Sequence, residues 1–135
     1  MNYWILKSEP DVYSYDDLVA QGKGTWDGVR NYTARNNLRN MQEGDYAFFY
    51  HSNIGKEIVG IAKITREAFP DPTVEDERWV AVEVVAERKL PKPVGLAQLK
   101  ADPSISHIAL VKQSRLSVIP LDKQDFEYIL KLSQE

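Results

Sequence analysis

The chain has 135 residues, 43% of them hydrophobic and 27% charged, with no cysteine and a formal net charge of −3. Such a composition belongs to a globular protein able to bury a core as one domain, and it excludes a disulfide scaffold or a disordered chain. No apolar run approaches the roughly 20 residues that cross a bilayer; the opening apolar stretch is too short for a secretory signal, and the absence of thiols suits a reducing cytoplasm.

In chain order, "YWILK" (3–7) has the aromatic and branched residues of a strand, with Pro10 beyond its end. Ser14, followed three residues later by Asp17, predicts a capping-box helix start, and that helix stops near Gly22. Asn31 is a suitable cap for a second helix running to about Met41, with Gly44 past its end. "DYAFFYH" and "EIVGIAKIT" predict strands separated by a turn around Gly55, and "RWVAVEVVAE" alternates like a long, half-buried strand. Beyond it "LPKPV" is extended, "GLAQLKAD" a short helix and "RLSVIP" a strand. "DKQDFEYILKL" closes the order as an amphipathic helix, with Asp122 as its cap and Phe126, Ile129 and Leu130 on its apolar face. Strands outnumber helices and lack helical crossovers, so the expected class is α+β, built round a small, mainly antiparallel barrel or curled sheet.

Charge is unevenly spread along these elements. Between Gly22 and Gln42 the four cations Lys23, Arg30, Arg35 and Arg39 face the single acid Asp27, which leaves +3 there and about −6 on the remainder. A basic window of this kind permits nucleic-acid binding without establishing it. Several chemistries fall away. "GKGT" lacks the upstream glycine of a phosphate loop, Asp17 standing in its place, and there is no GxGxxG. Two separated histidines without cysteines make a poor zinc site, and no GxSxG elbow is present. No metal or cofactor is expected. "EDE" at 75–77 reads as a solvated loop.

On a helix over 31–41, Ala34, Leu38 and Met41 share the face that packs inward. Tyr32, Arg35, Asn36 and Arg39 share the other, an arrangement that a solvated helix back explains for the arginines better than for Tyr32 or nearby Trp26. "KSEP" and "FYHSN" are strands that turn polar at their C-terminal ends. Their Ser8, Ser52 and Asn53 either satisfy turn backbone or line the mouth of a barrel. Two alternatives stay open on the residues alone: a hydrolase pairing His51 with Glu9 or Asp45, and a protein-interaction or small-metabolite adaptor.

"YWILKSEP", "YSYDDL", "WDGVRNYTARNNLRNMQEGD", "FFYHSN", "GIAKI", "KADPSI" and "SRLSVIP" occur in the order seen in EVE domains, and the chain resembles that family from about Tyr3 to Ile129. The resemblance implies a PUA-like, small, mainly antiparallel β-barrel with flanking helices, related to YTH, ASCH and PUA domains. It further implies a non-enzymatic module that binds DNA or RNA and reads a modified base, particularly a modified cytosine. The implied pocket draws on Lys7, Ser8 and Glu9, on Trp26, Arg30, Asn31 and Tyr32, and on His51, Ser52 and Asn53. Ser114, Arg115 and Ser117 supply more of its wall. Combined with the residue chemistry, Trp26 is expected to stack on the base, with Tyr32 as a second wall or a support behind it. Ser8, Ser52 and Asn53 would bond the base edge, while Arg30, Arg35 and either Lys7 or Arg115 would hold phosphates. A monomer is expected. The chain departs from the family in its compact "DPTVEDER" and in Thr33, where many members have Gln.

Overall fold

The structure, a computed structural model, describes residues 1–135. The order is β1 (Tyr3–Ser8), α1 (Tyr15–Gln21), β2 (Lys23–Trp26), α2 (Tyr32–Asn40), β3 (Tyr46–His51), β4 (Glu57–Pro70), β5 (Val80–Gly95), α3 (Leu96–Ala101), α4 (Ala109–Lys112), β6 (Val118–Leu121) and α5 (Lys123–Leu132). The α+β class is as expected. β2 and α4 carry no marked local signal, and "LPKPV" is the continuation of β5 rather than a separate extended link.

The six strands form one sheet in the order β2-β5-β4-β3-β1-β6. All ladders are antiparallel except β1 with β3, which run parallel from Tyr3 opposite Tyr46 to Ser8 opposite His51. A parallel pair needs a long crossover, which α1, β2 and α2 provide. No ladder joins the two edges, β2 and β6, so the expected barrel is an open sheet in its hydrogen bonding. Four register shifts between β4 and β5 bend and twist the longest pair, curling the sheet without closing it.

The strands are buried in continuous runs covered on both faces, and they place Ile5, Phe48, Ile58, Ile64, Val82 and Val84 in a core of 35 buried residues. From α2, Ala34 and Leu38, with Met41 at its end, enter that core as their spacing requires. From α5 the buried residues are Phe126, Ile129 and Leu132, with Leu130 only partly covered. Asp122 holds the cap position of α5 without a side-chain cap bond. The capping box of α1 is complete: Asp17 N donates to Ser14 Oγ at 3.1 Å and Ser14 N to Asp17 Oδ2 at 2.9 Å. Gly22, at φ 81°, then ends the helix. Gly60 is required by close approach, because a Cβ there would lie 2.5 Å from the Tyr15 ring. Tyr15 is pinned in turn by its hydroxyl, which donates to Ile61 O at 2.8 Å. No helix is long and apolar enough to cross a membrane.

Candidate nucleic-acid interface

An open cavity of about 890 Å³ lies where the end of β1, the loop after it, β2 with the turn that follows, and the residue before β6 converge. Its wall is built from Lys7 and Ser8, from Val12, Tyr13 and Gln21, from the continuous run Lys23 to Arg30, and from Ser117. Trp26 ends β2 opposite Val82, and this pairing turns its ring into the core. The ring meets Phe49 edge-on at 5.4 Å and Tyr13 at 6.3 Å. It is 8% exposed while forming part of the cavity wall.

Many of the polar groups here are already engaged within the protein. Lys7 Nζ donates to Ser114 O at 2.7 Å, and burial lowers its pKa. Ser8 Oγ donates to Tyr13 O at 2.6 Å, and the Tyr13 hydroxyl to Gln21 Oε1 at 2.6 Å. Arg30 Nη1 donates to Asp71 Oδ2 at 2.9 Å and Nη2 to Thr73 Oγ1 at 3.2 Å. Its guanidinium also lies 5.6 Å from the centre of the Trp79 ring.

Asp71 is the hub behind this wall. Its side chain is wholly buried and also accepts from Gly28 N at 2.9 Å and from the backbone and hydroxyl of Thr73. Burial alone would push its carboxyl up; the donors from Thr73, Arg30 and Gly28 outweigh that and hold its pKa at about 2. Asp27, on the cavity side of the same turn, shows the opposite balance. Burial and then the charge of Asp71 raise its pKa, against the pull of Arg30.

The other residues expected at the site lie elsewhere. Tyr32 is 51% exposed and stacks on Trp79, the ring centres 5.1 Å apart at 28°. Arg35 lies 4.9 Å from the Tyr32 ring, and Arg78 donates to the Tyr32 hydroxyl at 3.3 Å. This outer stack is outside the cavity and not behind Trp26. Asn31 caps α2, its side chain accepting from Ala34 N at 2.9 Å. Together with Ser114 and Arg115 it borders a separate shallow recess. His51 Nε2 accepts from Tyr15 N at 3.1 Å, so its proton belongs on Nδ1, and burial lowers its pKa despite Glu57 and Asp16. Ser52 N bonds Ser8 O, and Asn53 adopts φ 68° in the following turn. Glu9 accepts through its carbonyl from Val12 N and Tyr13 N. Asp45 is buried and accepts from Asn2 N, Trp4 Nε1 and Gln42 N. Neither acid bonds His51, so the pairing on which the hydrolase alternative depended is not formed.

The cavity thus brings together Lys7, Ser8, Trp26, Arg30 and Ser117, and separates them from Glu9, Asn31, Tyr32, Arg35, His51, Ser52, Asn53, Ser114 and Arg115. Sequence reasoning missed Tyr13, Gln21, Thr25 and Asp27 in the wall, and Asp71 and Trp79 behind it. Asp27 was within reach, being the one acid of the basic window.

Residues 2–132 match the family model of the EVE domain. Mouse thymocyte nuclear protein 1 is 38% identical over 167 residues, which cover 98% of this chain and 74% of that protein. The NMR structure of a Rhodopseudomonas palustris protein is 47% identical with a TM-score of 0.95, covering 99% of this chain and 94% of the other. Human THYN1, crystallised in complex with DNA containing 5-methylcytosine, is 34% identical with a TM-score of 0.93, covering 100% and 99% of the two chains. The YTH domain of Zygosaccharomyces rouxii MRB1, solved with N6-methyladenosine RNA, shares the fold at a TM-score of 0.61 and 18% identity, with 98% and 86% covered. On the family match and on these full-length likenesses, the chain belongs to the EVE-domain family.

Proposed function

We propose that this protein is a nucleic-acid-binding module that takes a modified base, in the first instance 5-methylcytosine, into the cavity beside Trp26. The observation that carries the reading is the full-length structural likeness to human THYN1, crystallised with 5-methylcytosine DNA, in a chain with an open cavity at the Trp26 edge. A base drawn from its stack costs a few kcal/mol in a duplex and less in a single strand. Contact with an aromatic ring returns about 1–3 kcal/mol per base. In this role Trp26 supplies aromatic surface, Ser117 offers a hydroxyl to the base edge, Ser8, whose proton is given to Tyr13 O, can accept there, and Lys7 places a cation near the rim. Arg30 acts through Asp71, holding the wall in place.

The reading is of a binder rather than a catalyst, and a cysteine-free chain suits a reducing compartment that holds nucleic acid. Because Arg30 and Lys7 already have partners inside the protein, few phosphates are neutralised and the salt dependence of binding is shallow. The test is a titration of single- and double-stranded oligonucleotides carrying cytosine or 5-methylcytosine, followed by fluorescence anisotropy. Tighter binding of the modified base is expected, reduced in Trp26→Ala and less so in Trp26→Phe. Equal affinity for both bases, undiminished in Trp26→Ala, refutes the proposal.

A further inference from the structure

The polar groups of the cavity divide into those with a partner inside the protein and those left for a ligand. All three cations of the wall are engaged: Lys7 by Ser114 O, Arg30 by Asp71, and Lys23 by Glu83 at 3.8 Å. Asp27 is the only carboxylate in the wall, and it forms no ion pair and no hydrogen bond to another residue's side chain. A cationic window in the sequence therefore presents, at the cavity, an anion bonded to no other residue.

That anion is also well placed. Asp27 lies between Trp26, whose ring is fixed in the core, and Gly28, whose N–H is held by Asp71 and whose φ of 76° sets the turn. Its backbone is thus secured on both sides, and its carboxylate can only accept hydrogen bonds. A ligand that satisfies it has to bring an N–H or O–H donor. The exocyclic N4 amine of cytosine is such a donor, and a carboxylate is a suitable acceptor for it. The Thr25 and Ser117 hydroxyls and the Gln21 amide nitrogen, also without side-chain partners, are donors for the ring nitrogen and carbonyl beside that amine.

We propose that Asp27 determines base specificity by accepting a hydrogen bond from the exocyclic amine of the bound base, so that the cavity takes a cytosine-type pyrimidine and rejects thymine. The proposal rests on the base-reader function above. Thymine has the same ring and the same 5-methyl group as 5-methylcytosine but carries a carbonyl oxygen in place of the amine. Acceptor then faces acceptor.

The test uses three single-stranded oligonucleotides identical except for one central 5-methylcytosine, cytosine or thymine, titrated against wild type, Asp27→Asn and Asp27→Ala. Because the carboxylate bonds no other residue, the variants are expected to melt with the wild type, which circular dichroism checks. Wild type should prefer 5-methylcytosine to thymine by about ten- to a hundredfold, the worth of a hydrogen bond to a charged group. Asp27→Asn should abolish that ratio and improve thymine binding, since its amide NH2 can donate to the carbonyl. Asp27→Ala should lower 5-methylcytosine toward thymine. A 5-methylcytosine to thymine ratio unchanged in Asp27→Asn overturns the proposal. If wild type binds 5-methylcytosine and thymine equally, and both above cytosine, the cavity reads the methyl group alone: the reader function stands and the role of Asp27 falls. No selectivity among the three overturns both.

Discussion

Replacing Asp71 by Asn keeps the side-chain shape and removes its charge, while turning an NH2 donor either toward Gly28 N–H and Arg30 or toward Thr73, all of which are themselves donors. The size of the effect follows from linkage. The carboxyl titrates at about 2 in the folded protein against 3.8 for the free group. At about 1.36 kcal/mol per unit, ionised Asp71 contributes about 2 kcal/mol to folding at neutral pH. The larger cost, about 3–5 kcal/mol, of orphaning a fully buried partner does not apply, because the Arg30 side chain is 39% exposed and can turn to water. With about 2.1 cal/mol/K of unfolding entropy per residue over this chain, the loss corresponds to a Tm lower by roughly 7 °C. The assay is thermal unfolding by circular dichroism, wild type against Asp71→Asn, from neutral pH down to acid. A depressed folded pKa gives stability that is present above the unfolded value and lost as pH falls through the folded one. The gap between the two proteins should therefore be full above about pH 4 and close toward about pH 2. A variant melting within about 2 °C of wild type at neutral pH, or a gap as wide at the acid end, refutes Asp71 as the hub.

His51 accepts from Tyr15 N only when neutral, and its pKa is lowered by burial from 6.5. Its contribution is full above that unfolded value and lost as pH falls through the lower folded one, so His51→Ala should cost about 1–2 kcal/mol at neutral pH and flatten the mildly acidic decline. Urea unfolding at two pH values measures both. Gly60→Ala drives a methyl group into the pinned Tyr15 ring, and urea unfolding should show a loss of about 1–3 kcal/mol or more. A loss below about 0.5 kcal/mol would mean that Tyr15 yields freely. Arg35→Ala removes an exposed contact with Tyr32 outside the cavity, so stability should fall by about 1 kcal/mol or less. The ratio of affinities for 5-methylcytosine and cytosine oligonucleotides should not change; a base-selective loss would place Arg35 at the base.

Local patterns carried much of the fold. The Ser14–Asp17 box, the Asn31 cap and the inward stripe of Ala34, Leu38 and Met41 are all set by neighbours within a few turns, and each is in the structure as its residues predict. β2 was hidden because "KGTW" is short and becomes a strand only by pairing with Glu83 and its neighbours on β5. The same distance in sequence hid the true partners of the central block. Arg30 resembles a phosphate ligand until Asp71, 41 residues on, is placed against it. Tyr32 resembles a cavity wall until Trp79 stacks on it. His51 and Asp45, a plausible catalytic pair by residue type, each satisfy a separate backbone or side-chain donor instead.

The connection between β4 and β5 (71–79) is closed at its base by Asp71 N bonding Trp79 O at 3.0 Å, and from its first residue Asp71 reaches back to hold Gly28. Much of the ordering entropy of the cavity wall is consequently spent in folding, before any ligand arrives, which leaves more of the contact energy to appear as affinity. The base of this connection is also a lever. A change there that moved Asp71 would slacken the wall and shift Asp27 without changing a residue that lines the cavity, a route by which recognition could be retuned from outside the site.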